Sequence, residues 1–407
     1  MPEMPVYLDF HATTPLDPEV MEYMIPWMTS LYGNASSRQH AFGRMAAAAV
    51  STARDEVAAA IGATASEIVF TSGSTESINL AIKGAAAAYA NKGRHIITCA
   101  TEHPAVLDTC MALEATGAEV TVLGVDGQGR LDPEVLLAAI RPDTILAAIM
   151  MANNETGLIH DLRAFSEVCR SHGVLLFTDA TQAAGKMPVD VEALGVDMLC
   201  LSAHKFFGPK GVGCLYVRRR SPRVRLISQL DGGGHESGLR SGTLNVPGIV
   251  GMGKAISKAT ERMEHEMPRL LALRDRLEAT LMEAGECYVN AGKANRLATV
   301  SNLSFRFVEG QALLGAVCRD IAVSTGSACS SASMEPSHVL TAMGLGRELA
   351  YASLRISLGT PTTLADIDKA SSSILSVLHH LRASGQMWAF AQQGLIPDVS
   401  GWHHPDL

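Results

Sequence analysis

The chain reads as an α/β protein, with a largely parallel sheet covered by helices on both faces and a smaller α+β unit after it. Three observations lead there. Short apolar runs of strand length alternate with helix-length segments through the first two thirds of the 407 residues. Most of those runs end in Gly, Ser, Thr or Asp, the residue types that gather at the carboxyl edge of an open α/β sheet. Beyond residue 250 that rhythm gives way to a long helical stretch and then a mixed region.

Taken in order, residues 67–70 read as a strand, 76–90 as a helix and 95–99 as a strand. Further strands are expected at 120–125, 144–150, 174–178, 198–201 and 213–217, with a helix at 162–172. Parallel neighbours need crossover connections, and the helical segments supply them. From 250 to 286 the pattern is helical with scattered charges. Strands at 300–307 and 354–358 and a helix at 364–382 follow. These shifts divide the chain into a large domain, 15–262, and a smaller one built from 1–14 and 263–407, with the change inside the long helix near 260–265. No internal repeat interrupts the pattern, and the alanine patches at 46–49 and 85–88 are good helix formers.

Hydrophobic residues make up 47% and charged residues 18%, a globular balance. Lys and Arg number 33 against 41 Asp and Glu, so the net charge of -8 offers no overall basic field for nucleic acid. Arg218-Arg219-Arg220 with Arg223 and Arg225 reads as a solvated edge or interface patch. The 8 cysteines form no CxxC pair, which argues against a zinc site or a disulfide framework. No uncharged apolar run is long enough to span a bilayer, and Met1-Pro2-Glu3-Met4-Pro5 lacks a secretory profile. The expectation is a cytoplasmic protein with free thiols and no membrane contact.

The chemistry centres on Ser202-Ala203-His204-Lys205, which leaves an apolar strand and closes in Gly208-Pro209-Lys210-Gly211. A lysine leaving a buried strand is drawn towards its neutral, nucleophilic form and suits Schiff-base chemistry with carbonyls. Small polar neighbours suit a phosphate, and the combination points to pyridoxal phosphate. Thr71-Ser72-Gly73-Ser74-Thr75-Glu76-Ser77 follows a strand and opens a helix, making an anion site or an ordinary N-cap. It is neither a Walker loop nor GxGxxG. Asp179, with Gln182 one turn on, could pair a pyridine nitrogen and a phenolic oxygen, or Asp179 could simply cap a helix. His103 follows a strand and suits ring stacking, proton relay or a structural role. Asn153-Asn154 is a strand-end turn or a contact residue pair. Arg355, between apolar neighbours, needs an anion: a substrate carboxylate or a structural one. Cys329, in Ser327-Ala328-Cys329-Ser330-Ser331, sits among small residues and reads as an exposed reactive thiol, whereas the other seven cysteines read mostly as packing residues.

The joint order of these motifs resembles that of the cysteine desulfurases, which are fold-type I pyridoxal-phosphate enzymes, nearly end to end. The matching stretches include Tyr7-Leu8-Asp9, Ala12-Thr13-Thr14-Pro15, Thr71 to Ser77, Thr101-Glu102-His103, Asn153-Asn154-Glu155, Asp179-Ala180-Thr181-Gln182, Ser202 to Lys205, Arg240-Ser241-Gly242-Thr243 and Ser327-Ala328-Cys329. Met387-Trp388, Gln393-Gly394 and Trp402-His403-His404 resemble the tail of the housekeeping iron–sulfur-assembly branch, where it docks a scaffold protein. The chain departs from that branch at Ala35, at His160 (glutamine is usual), at Phe177-Thr178 and in Pro405-Asp406-Leu407.

The resemblance implies a mostly parallel seven-stranded sheet and a homodimer. Lys205 would be the Schiff-base lysine. Ser74, Thr75, Ser202 and His204 would hold the phosphate, with Thr243 reaching in from the second subunit. His103 would stack on the ring, Asp179 would contact its nitrogen and Gln182 its phenolic oxygen. Asn154 and Arg355 would hold the carboxylate of L-cysteine, and Cys329 would accept its sulfur. The sulfur would pass to an iron–sulfur scaffold protein and to other acceptors, including those of tRNA thiolation. No resident metal is implied, although Cys329 would ligate a cluster iron transiently on a scaffold. A selenocysteine lyase or an aminotransferase are the rival enzymes, and the latter needs no distal thiol.

Overall fold

The computed structural model describes residues 4–220, 222–325, 335–395 and 400–405. Twelve strands are present among them: β1 (Val6–Tyr7), β2 (Ile68–Thr71), β3 (His95–Cys99), β4 (Glu119–Leu123), β5 (Thr144–Ala148), β6 (Leu175–Asp179), β7 (Met198–Ser202), β8 (Gly213–Val217), β9 (Cys287–Val289), β10 (Val300–Phe305), β11 (Ile321–Ala322) and β12 (Ser353–Ser357). Seven form the main sheet, in the order β2-β8-β7-β6-β5-β3-β4. The block from β7 to β4 is parallel throughout. β8 runs antiparallel to both β7 and β2. Two reversals cancel, so β2 points the same way as β7. The carboxyl ends of β2, β3, β5, β6 and β7 therefore share one edge of the sheet.

Side chains alternate across the two faces of each strand. In β2, Ile68 and Phe70 enter one apolar cluster and Val69 the opposite one. Helices α1 (Pro18–Thr29) and α2 (Ala41–Ala60), with the first half of a 37-residue helix, Val246–Met282, cover the first face. Helices α3 (Ser74–Ala88) and α4 (Pro104–Glu114) cover the second. Coverage on both faces explains why β3, β5, β6, β7 and β8 are buried at every position and read as continuous apolar runs.

The long helix contributes Ile256 to the main core and Leu270 to a second one. That second core lies under the antiparallel sheet β12-β10-β9 and the helix Leu364–Ser384. β1 pairs in parallel with β11, which brings the amino-terminal segment onto the same unit. Of the seven cysteines that read mostly as packing residues, Cys99, Cys110, Cys169, Cys200, Cys214 and Cys287 are buried; Cys318, at the carboxyl-terminal cap of helix Gly310–Val317, is exposed.

Candidate active site

A cavity of about 530 Å³ opens at that shared edge of the sheet. Its lining includes Ser74 and Thr75 after β2, His103 after β3, Asn154 after β5, Asp179 at the end of β6 with Gln182 after it, and Ser202 at the end of β7 with His204 and Lys205 after it. Arg355 of β12 lines it from the second unit. Thus ten of the candidate residues face one space. Thr243 does not line it; the residue is exposed on the segment before the long helix. Cys329 lies outside the described residues.

The turn from β2 into α3 is built on Gly73, whose φ of 152° few side chains tolerate. Its neighbour across the sheet is Gly213, where a Cβ would stand 2.7 Å from the Gly73 Cα. Two glycines therefore let the backbone pass close enough to expose the first turn of α3. Gly73 provides no side-chain cap, so the amide groups of that turn remain available for an anion. Ser202 Oγ lies 3.7 Å from where a Gly73 Cβ would be, beside the same turn.

Lys205 Nζ donates to the carbonyls of His11 (2.6 Å) and Ala12 (2.7 Å). Gln182 Nε2 donates to the same His11 carbonyl at 2.9 Å, while its Oε1 accepts from Lys186 Nζ at 2.7 Å. Those two bonds fix which way the amide points. Burial, followed by the charges of Lys205 and Arg355, drives the Lys186 pKa well below its ordinary value. Asp179 Oδ1 accepts from the Thr181 amide at 2.9 Å, so it caps a turn as well as lining the cavity. His103 likewise has two roles: its Nδ1 accepts from the Ala105 amide at 3.1 Å, capping α4, and its ring borders the cavity. Burial lowers its pKa, against the opposing charge of Asp179. His204 is brought down to about 4 by burial and by Lys205, Lys210 and Lys186, so it is a neutral imidazole at pH 7.

Arg355 is 3% exposed and carries several bonds. Nη2 pairs with Asp9 Oδ1 and Ser324 Oγ, each at 2.8 Å, and Nη1 reaches the Asn154 carbonyl at 3.3 Å. Its Nε has no hydrogen-bond partner among the described residues. The arginine thus already has a structural carboxylate while it lines the cavity. Asn153 is structural: its side chain accepts from the amides of Glu155 and Thr156, both at 2.9 Å, and leaves Asn154 to face the cavity.

Sequence reasoning from the residues alone did not single out His11, Ala12, Thr13 or Lys186. The first three line the cavity, and Lys186 fixes Gln182 from behind. Ala12 and Thr13 fall in the stretch Ala12-Thr13-Thr14-Pro15 of the family resemblance, whereas His11 and Lys186 carry no signal of their own.

The aminotransferase class-V family matches residues 6–370. A protein of Anaeromyxobacter dehalogenans named cysteine desulfurase IscS is 52% identical over 404 residues, which span 99% of this chain and 100% of that one. One of the same name from Haemophilus influenzae is 52% identical over 402 residues, 98% of this chain and 99% of its own. Among solved structures, a NifS-like protein superposes with a TM-score of 0.87 at 38% identity, covering 93% of this chain and 100% of the other. A NifS-like protein of Rickettsia africae gives 0.81 at 31% identity, covering 92% and 99%. The order of motifs, the sheet edge on which they meet and these full-length matches agree, and the chain belongs to the cysteine desulfurase group of the aminotransferase class-V family.

Proposed function

We propose that the protein is a pyridoxal-phosphate-dependent cysteine desulfurase. It takes sulfur from L-cysteine, releases L-alanine and holds the sulfur as a persulfide on Cys329. The observation that carries this reading is the single cavity shared by Lys205, Asp179, Gln182, His103, Arg355 and the open first turn of α3. The donor set suits the cofactor: an uncapped helix start with hydroxyls for a phosphate, a carboxylate for a ring nitrogen and an amine for an aldehyde. Arg355, which lines the same cavity from β12, suits a carboxylate ligand.

Ser74, Thr75, Ser202 and the neutral imidazole of His204 would bind the phosphate, with the α3 amides adding their dipole. His103 would stack on the ring, Asp179 would hold a proton on its nitrogen, and Gln182 would donate to its phenolic oxygen. Once bound, the cofactor withdraws electrons from the α-carbon of the amino acid joined to it. Lys205 would take the α-proton and return it, its Nζ being placed by the His11 and Ala12 carbonyls. Asn154 and Arg355 would hold the substrate carboxylate. The Cys329 thiolate attacks the substrate sulfur. An S–S bond forms as the C–S bond breaks, and the C–S electron pair stays with the carbon skeleton, which is protonated and leaves as alanine.

Exposed apolar side chains on and after α1, among them Met21, Ile25, Met28 and Tyr32, support a homodimer in which Thr243 serves the second copy's phosphate site. Phe307 lies 6.1 Å from Trp388 and 5.6 Å from Trp402, which tethers the tail proposed to dock an iron–sulfur scaffold. That tail and the proposed cysteine loop would belong to the smaller domain, 1–14 and 263–407, against the cofactor domain, 15–262. Among the described residues no helix is long and apolar enough to cross a membrane. We place the enzyme in the cytoplasm, with tRNA-thiolation proteins as further acceptors.

Two variants test the reading. Lys205→Ala should lose both the visible absorption of the bound cofactor and all turnover. Cys329→Ser should keep the absorption but form neither sulfide nor persulfide. Sulfide release at the wild-type rate by Cys329→Ser would refute the persulfide assignment.

A further inference from the structure

A line of side chains links two of the groups that would touch the cofactor, Ser74 and Asp179, through the buried Cys200. Ser74 Oγ lies 2.5 Å from Thr181 Oγ1, which lies 3.8 Å from Cys200 Sγ. Cys200 in turn donates to Asp179 Oδ1 at 3.3 Å. The arrangement follows from strand register: Asp179, the last residue of β6, pairs directly with Cys200 of β7, so both side chains stand on the same face of the sheet. Cys200 is fully buried, and Asp179 and Thr181 are 6% and 8% exposed. Burial, reinforced by the charge of Asp179, raises the Cys200 pKa well above its ordinary value. The group therefore stays a thiol and remains a donor.

We infer that Cys200 is a positioning residue for the reaction: its S–H holds Asp179 Oδ1 in place and, through Thr181, joins the ring-nitrogen end of the site to Ser74 at the phosphate end. This rests on the cofactor reading above. A hydrogen bond to the charged form of a carboxylate lowers its basicity. Without the thiol, Asp179 becomes a stronger base and draws the ring proton closer to itself. The ring then carries less positive charge, and the conjugated nitrogen supplied by Lys205 is easier to protonate.

The test is a pH titration of the visible band in the cofactor-loaded protein, for wild type, Cys200→Ala and Cys200→Val. Alanine leaves a void and valine roughly fills it, but neither can donate. We expect both to raise the midpoint by about half a pH unit or more, by similar amounts, and to lower kcat with KM for L-cysteine within about twofold. A midpoint equal to wild type in Cys200→Val overturns the inference, as does a shift seen with alanine alone, which would report the void instead. Should the alanine variant fail to fold, the valine variant decides. A wild-type protein that takes up no pyridoxal phosphate would refute the cofactor reading itself, a result distinct from both.

Discussion

Replacing His160 by glutamine should flatten the acid limb of the stability profile. His160 is 6% exposed; its Nδ1 lies 3.0 Å from the Met150 carbonyl, and its ring meets Phe165 at a centroid distance of 6.1 Å. Nε2 has no partner among the described residues, so nothing there would receive a second proton. Burial brings the pKa down from 6.5 to about 4. The folded value is the lower one, so at neutral pH the imidazole is uncharged in both states and costs nothing. As pH falls below 6.5 the unfolded chain takes up a proton that the native fold refuses. Stability is then lost until the pH reaches the folded pKa. From these two values the loss from this one site is about 2 kcal/mol by pH 5 and about 3 kcal/mol at its limit. Glutamine keeps a donor for the Met150 carbonyl and does not titrate. The assay is urea unfolding of both proteins between neutral pH and pH 5, comparing their free-energy difference at each pH. Other titrating groups, His11 among them, are common to both proteins and cancel. Parallel stability profiles would refute the argument.

Arg355→Lys keeps the charge but loses the planar fork. KM for L-cysteine should rise about tenfold to a hundredfold, the worth of one charge-assisted hydrogen bond, and an unchanged KM in steady-state kinetics would count against the carboxylate role. Glu102 is buried, with Oε1 accepting from the Met150 amide at 2.6 Å and Oε2 without a partner among the described residues. Burial raises its pKa well above 4.5, so folding disfavours ionisation and stability falls as pH rises above the unfolded value. Glu102→Gln should therefore raise Tm at neutral pH, and the gain should vanish near pH 4; calorimetry across that range checks it. Glu236 sits at a φ of 50°, pairs both oxygens with Arg54 at 2.6 and 2.8 Å, and accepts from the Phe70 amide at 2.7 Å. Glu236→Ala leaves Arg54 with only the Ile68 carbonyl and that edge-strand amide with no partner, and should cost about 3 kcal/mol in unfolding experiments. A loss under about 1 kcal/mol would mean that solvent replaces the pair.

The sheet was readable from sequence where strands are buried on both faces. Residues 95–99 and 213–217 are found where expected, as β3 and β8. The strand expected at 144–150 stops at Ala148 in the ladder; beyond it the Ile149 and Met151 amides still donate to the carbonyls of Phe177 and Asp179, but the chain bends at Met151. Those two bonds carry the chain to Asn153 and Asn154, and no periodicity could announce them. The expected start of α3 at 76 falls at Ser74, since Gly73 opens the helix without a capping side chain. Lys205, Asp179 and His103 stood out because each closes or follows an apolar run, and the parallel sheet brings such ends together. His11 to Thr13 did not. Their segment has no pattern of its own and is set by β1 pairing with β11 near the other end of the chain. For Arg355 the sequence allows a substrate or a structural carboxylate; the fold supplies the structural one, Asp9, and also sets the residue on the cavity wall.

The account is tested most directly by mass spectrometry of the purified, cofactor-loaded enzyme after brief exposure to L-cysteine, with peptides mapped under non-reducing conditions. It predicts the added mass of one sulfur atom on the peptide containing Cys329, matched by released alanine and absent in Lys205→Ala. Alanine formed with no sulfur on that peptide, or with sulfur carried by another cysteine such as the exposed Cys318, would contradict it.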